Sequence, residues 1–171
     1  MKNIVLIGMP GAGKTTIGSI LSQKLNMTFI DTDILIKQKS GKSPQQIIDD
    51  KHTDEFLSIE ENVVMDLNLK NFVVSTGGSV VCSSKAVNHL KSNGIVVYLK
   101  ADYHAIEKRI RNPKTRGIVF KDGQDLLGVY NERVPLYENY SDITIDCSDK
   151  SVNDVVDSVI NILENKKKNS L

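Results

Sequence analysis

No apolar run in the 171 residues approaches the roughly 20 that a membrane-spanning helix needs, which excludes a helical membrane protein. Cysteine is scarce: Cys82 and Cys147 are the only two, far apart and without metal-ligand spacing. They read as reduced thiols packed like small apolar residues, not as a zinc site or a disulfide framework. An excess of one charge is also missing, since 22 Lys and Arg stand against 21 Asp and Glu for a net charge of +1. That balance argues against a general nucleic-acid footprint, and the cluster Lys166-Lys167-Lys168 in a polar tail reads as solvated. The chain shows no internal repeat and no interdomain linker, so one domain over residues 1–171 is expected, with a frayed tail at 165–171. Its first residues enter an apolar run without a basic stretch and cleavage site; no secretory signal is read and a cytoplasmic location is expected. Hydrophobic residues at 40% and charged residues at 25% complete an ordinary globular composition able to bury a substantial core.

What is present is concentrated near the start. Gly8-Met9-Pro10-Gly11-Ala12-Gly13-Lys14-Thr15 follows directly on Ile4-Val5-Leu6-Ile7 and precedes a helical pattern from Thr15 to Leu25. Strand, loop and helix are the setting in which G-x-x-x-x-G-K-[ST] acts as a phosphate-binding loop. Glycines let the backbone turn tightly enough to aim several N–H groups at one anion, and the helix adds its positive end. Lys14 then reaches the terminal phosphates and the Thr15 hydroxyl can ligate Mg²⁺.

Along the rest of the chain, Ile17, Ile20, Leu21 and Leu25 stripe a helix lying on a sheet. Thr28-Phe29-Ile30 forms a second strand running into Asp31-Thr32-Asp33. Open parallel sheets bind ligands beyond the carboxyl ends of their strands, so both aspartates should lie near the bound phosphates, although either could also cap the helix that follows. Ser43-Pro44 opens a short helix through Ile48. A longer helix is expected from about Asp54 to Leu69, with Phe56, Ile59, Val63 and Leu67 buried and Glu55, Glu60, Glu61 and Asp66 outside. Phe72-Val73-Val74 is a short buried strand ending in Ser75-Thr76-Gly77-Gly78-Ser79, where the paired glycines either make a simple turn or let a small ligand approach the backbone. Ile95 to Leu99 and Ile143 to Ile145 supply the fourth and fifth strands. Between them, Asp102 can cap a helix through Arg111. The cationic stretch from Asn112 to Gly123 suggests a lid, with Arg116 available to a transferring group. Gln124 to Tyr140 looks helical, and Pro135 should bend or break it. Val152 to Leu163 carries a terminal helix stripe.

As an ordered set, these residues resemble shikimate kinase over about Met1 to Leu163. The set comprises the N-terminal P-loop, Asp31-Thr32-Asp33, Ile59-Glu60-Glu61, Gly77-Gly78, an arginine lid and Arg133-Val134-Pro135-Leu136-Tyr137. The resemblance implies an α/β fold of the nucleoside-monophosphate-kinase kind, a three-layer αβα P-loop architecture with a five-stranded parallel sheet and a lid at about 112–123. It implies ATP-dependent phosphorylation of the 3-hydroxyl of shikimate with Mg²⁺, by a monomer acting on a small-molecule hydroxyl acceptor without nucleic acid or membrane. By the same resemblance, Gly11, Ala12, Gly13, Lys14, Thr15 and Thr16 hold ATP, Arg109 packs on the adenine and Arg116 is the lid arginine. Thr15 binds the metal and Asp31 acts on it through water. Asp33 holds and activates the acceptor, Gly77 and Gly78 border it, and Arg133 binds its carboxylate. Lys14, Asp33 and Arg116 form the catalytic set.

Three positions depart from the family pattern. F-R-x-x-E becomes Phe56-Leu57-Ser58-Ile59-Glu60, G-G-G becomes Gly77-Gly78-Ser79, and the lid's R-P-L-L becomes Arg116-Gly117-Ile118-Val119. The phosphate-handling half of the pattern is intact, while the half that reads the acceptor has lost an arginine at the pocket position Leu57. A related kinase acting on another small hydroxyl compound, or a nucleotide-binding module with little turnover, stand as the alternatives.

Overall fold

The computed structural model describes residues 2–51 and 53–168. Strand β1 (Asn3–Ile7) is buried at all five positions and lies at the centre of the sheet. Around it are β2 (Thr28–Asp31), β3 (Phe72–Ser75), β4 (Gly94–Lys100) and β5 (Ile143–Asp146), in the order β2-β3-β1-β4-β5. Every pairing is parallel, with Val5 opposite Val74 on one side and Val96 on the other. A strand covered on both faces must be apolar throughout, and this is why β1 and β4 read as continuous Val/Ile/Leu runs. The connection leaving β1 runs toward one edge of the sheet and the one leaving β4 toward the other. A crevice therefore opens beyond their carboxyl ends.

Eight helices flank the sheet among the described residues: α1 (Lys14–Leu25), α2 (Thr32–Ser40), α3 (Pro44–Lys51), α4 (Thr53–Met65), α5 (Ser84–Ser92), α6 (Tyr103–Arg109), α7 (Leu126–Tyr140) and α8 (Val152–Lys168). Helices α1 and α8 pack together, as do α4 and α5, giving the expected αβα layers. A second, smaller core gathers Ile36, Ile47, Phe56 and Val63 from α2, α3 and α4 with Val119 from the loop before α7. Ile118, the residue before it, belongs to the main core.

Several elements differ from the expectations above. Glu60, expected outside, is 2% exposed, because α4 is covered on two sides and its buried stripe runs Phe56, Glu60, Val63, Val64. Helix α7 continues through Pro135, since buried Arg133 and Tyr137 fasten it on either side; tertiary contact here outweighs one missing backbone hydrogen bond. Helix α5 is absent from the sequence reading although its signals are ordinary: Ser83 caps it by accepting from the Ala86 N–H at 3.0 Å, and Ala86, Val87 and Leu90 are buried. Helix α8 runs on to Lys168 where a frayed tail is expected from 165; residues 169–171 lie outside the described residues. Lys166 donates to the Asp142 carbonyl at 3.1 Å. Cys147 is buried as expected, whereas Cys82 is exposed.

Candidate active site

The loop between β1 and α1 turns through Gly11 at φ +81° and Gly13 at φ +92°, a region that only glycine enters cheaply. The backbone N–H groups at the start of α1 are thereby presented at the end of the central strand. Lys14 curls back over this loop, and its Nζ donates to the carbonyls of Gly8 at 2.7 Å and Met9 at 2.9 Å. Burial lowers its pKa from 10.5 to about 8, against the raising influence of Asp33 and Asp31.

At the end of β2, Asp31 performs two tasks. Its Oδ1 accepts from the Asp33 N–H at 2.9 Å and so caps α2, while its Oδ2 accepts from the Thr15 hydroxyl at 2.8 Å. The Ser75 hydroxyl stands 3.4 Å from Thr15 Oγ1. These are hard oxygen donors of the type Mg²⁺ takes. No group of three or more His, Cys, Asp and Glu with metal-binding spacing exists among the described residues, so a metal held here draws most of its ligands from phosphate and water. Asp33, two residues along, has its carboxyl pushed upward first by burial and then by the neighbouring Asp31, with Lys14 opposing.

Across the crevice, the Gly77 N–H donates to Thr32 Oγ1 at 3.1 Å, and the Tyr137 hydroxyl donates to the Gly78 carbonyl at 2.5 Å. A Cβ at Gly77 would stand closer than 3.0 Å to Glu60 Oε1 and 3.2 Å from Asp33 Oδ1, so a side chain there would have to displace the Glu60 carboxyl. The two carboxyl groups thus converge above one glycine. Glu60 Oε2 accepts from the Ser79 hydroxyl at 2.6 Å, while its Oε1 is buried without a hydrogen-bond partner. Burial is the main cause raising the Glu60 pKa from 4.5 to about 7; Ser79, Arg133 and Lys14 act against the rise and Asp33 adds to it.

These groups line one cleft of about 370 Å³, whose walls include Gly11, Gly13, Lys14, Thr15, Thr16, Asp31, Asp33, Gly77, Gly78, Arg109 and Arg116. Ala12 is buried beneath the loop. Arg109 donates to the Gly11 carbonyl at 3.1 Å and also borders a neighbouring cavity of about 240 Å³ beside the P-loop. Arg133 is buried and donates to the Val119 carbonyl at 3.0 Å; it does not line the cleft. Leu57 lines a separate cavity of about 340 Å³ that shares Glu60 and Ser79 with the cleft. The loop carrying Arg116 rests on α3, where the Gly117 N–H donates to Gln45 Oε1 at 2.8 Å and Gly117 sits at φ +62°. The residues that sequence reasoning missed are Glu60 as a buried wall of the cleft, Thr32 and Tyr137 as supports of the glycine pair, and Ser79 as the partner of Glu60. None of them left a signal that periodicity alone could read, since Phe56, Ile59 and Val63 fit a helical stripe as well as Phe56, Glu60 and Val63.

The chain is similar to known proteins over nearly its whole length. A family model described as shikimate kinase matches residues 10–164. The shikimate kinase of Caldanaerobacter subterraneus subsp. tengcongensis is 38% identical over 164 residues, covering 94% of this chain and 95% of its own. That of Haemophilus influenzae is 34% identical over 169 residues, with 96% and 93% covered. Among solved structures, shikimate kinase from Acinetobacter baumannii in complex with shikimate superposes with a TM-score of 0.90 at 29% identity, covering 98% of this chain and 95% of that one. Shikimate kinase from Aquifex aeolicus gives a TM-score of 0.80 at 31% identity, with 96% and 98% covered. With a family match over most of its length and relatives above 30% identity across nearly all of it, this chain belongs to the shikimate kinase family.

Proposed function

We propose that the protein transfers the γ-phosphoryl group of ATP to the 3-hydroxyl of shikimate. The observation that carries this reading is the meeting, in one cleft, of a P-loop lysine with an acceptor-side aspartate that share an electrostatic environment. The P-loop backbone from Gly11 to Thr16 cradles the phosphates, and Lys14 leaves its carbonyl partners to bridge their oxygens. Arg109 lies against the adenine. Thr15 and Asp31, whose oxygens meet at 2.8 Å, would hold Mg²⁺. When bound, the metal neutralises charge on the phosphate oxygens. Asp33, lining the cleft beside Gly77, orients the acceptor hydroxyl and takes its proton as the bond to phosphorus forms. Arg116 brings a further positive charge to the transferring group from the lid, and Arg133 answers the acceptor carboxylate. Such chemistry rests on positioning and dispersed charge more than on covalent steps. A cytoplasmic monomer completes the proposal.

The test is a coupled ADP-release assay with ATP and Mg²⁺, comparing shikimate with other hydroxy acids, polyols and homoserine. Saturable turnover with shikimate is expected, together with a fall of at least 100-fold in kcat for Asp33→Asn, in the range of general-base contributions. Near-normal kcat in that variant would remove Asp33 from its role. A second reading, a kinase for a different hydroxyl compound, draws on Leu57, which puts an apolar side chain beside Glu60; turnover of another compound with none of shikimate would select it.

A further inference from the structure

Glu60 is the least explained group in the cleft. It is a buried carboxyl on α4, faced by Asp33 from α2, Lys14 from α1 and Arg133 from α7, and hydrogen-bonded to Ser79 alone among the described residues. Its Oε1 has no hydrogen-bond partner among the described residues and stands with Asp33 Oδ1 over Gly77, in the wall of the cleft. A buried acceptor oxygen in the wall of a cleft, without a protein donor among the described residues, is open to a donor from a bound molecule. An acceptor hydroxyl is such a donor. Because Asp33 and Glu60 converge on the same glycine, two hydroxyls on adjacent carbons can address them together.

What aims Oε1 is the Ser79 hydroxyl. It holds Oε2 at 2.6 Å, a short hydrogen bond that fixes the carboxyl plane. One turn earlier on the same helix face, at position 57, stands a leucine that can neither donate to Glu60 nor offset its charge. Leu57, Glu60 and Ser79 line the same side cavity. The two departures from the family pattern therefore form one unit around a single carboxyl.

We propose that Ser79 is a positioning residue for the acceptor: by fixing Glu60 Oε2 it turns Oε1 to receive a hydrogen bond from the hydroxyl adjacent to the one Asp33 holds. This rests on the functional reading above. If Ser79 only satisfied a buried carboxyl, its loss would lower stability without sorting one acceptor from another.

Turnover of shikimate by the wild-type protein is measured first, beside the analogue lacking the hydroxyl next to the 3-hydroxyl. Wild type should lose about fivefold to tenfold in kcat/KM on the analogue, the worth of one hydrogen bond. Ser79→Ala should raise the KM for shikimate by a similar factor, leave kcat and the KM for ATP within about twofold, and treat the two acceptors alike. Ser79→Thr, which keeps the hydroxyl, should restore the discrimination. Wild type indifferent to the missing hydroxyl would overturn the proposal even if Ser79→Ala failed to fold, and so would a Ser79→Ala variant that discriminates as wild type does. Absence of shikimate turnover would instead overturn the functional reading. The Ser79→Ala comparison then passes to the acceptor that the panel identifies, where an unchanged KM would overturn the role of Ser79.

Discussion

Replacing Gly77 with alanine adds one carbon at the point where Glu60 and Asp33 meet. The backbone at Gly77 is not in the left-handed region, so alanine is not strained there; by restricting the unfolded chain it even gains about 0.4–1 kcal/mol. The new Cβ, however, would stand closer than 3.0 Å to Glu60 Oε1 and 3.2 Å from Asp33 Oδ1. Ordinary contact requires Glu60 to withdraw by on the order of 1 Å, yet its other oxygen is held by Ser79 at 2.6 Å. Overpacking of this kind costs about 1–3 kcal/mol, so the net loss of stability lies between near zero and ~2.5 kcal/mol, which is a few degrees in Tm. Activity is the sharper readout, since a 1 Å displacement of a positioning group can cost about 100-fold. Gly77→Ala should therefore lower kcat/KM for the acceptor at least tenfold while the KM for ATP stays near that of wild type. Adding Glu60→Ala removes the colliding carboxyl and should recover the Tm lost to Gly77→Ala, a coupling that a double-mutant cycle reads directly. Gly77→Ala with wild-type acceptor kinetics would refute the argument, as would strictly additive effects in the double variant.

Three further outcomes are expected. Because burial holds Lys14 down to about 8, its charge is lost as pH rises through that value; the KM for ATP should climb between pH 7 and 9, and a flat profile would contradict the assignment. For Glu60 the folded pKa of about 7 lies above the ordinary 4.5, so its contribution to stability is fully present below about pH 4.5 and is lost as pH rises through 7; Glu60→Gln should remove that slope from urea unfolding measured at pH 5 and 7.5, and equal slopes in both proteins would count against it. Gly117→Pro both demands φ near −65° where the backbone holds +62° and deletes the N–H given to Gln45; faster tryptic cutting at Lys114 is expected, since the new Arg116-Pro bond itself resists trypsin, and an unchanged rate would show that the Arg116 loop does not depend on this contact.

The parts of this protein that were legible in its sequence are those whose chemistry is contiguous. Strand, glycine loop, lysine and helix occupy one stretch, and the backbone geometry that binds phosphate is made within it. The inner strands β1, β3 and β4 announce themselves as apolar runs because burial on both faces leaves little room for alternation, and Asp31 and Asp33 are placed by the end of the edge strand β2. Periodicity alone could not decide which face of α4 is covered: Glu60 and Ile59 are adjacent, and only the packing of α2, α5 and the Ser79 turn around the helix turned the carboxyl inward. The same holds for Pro135, tolerated because Tyr137 stacks on Tyr98 at 5.1 Å and anchors the helix beyond it, and for Ile118 and Val119, loop residues by composition that two separate cores claim. Local patterning determined the elements and the phosphate site; the meeting of Asp33, Glu60, Gly77 and Ser79, drawn from positions scattered along the chain, was decided by tertiary packing, since a buried charge acquires its partners and its pKa only from what the fold sets around it.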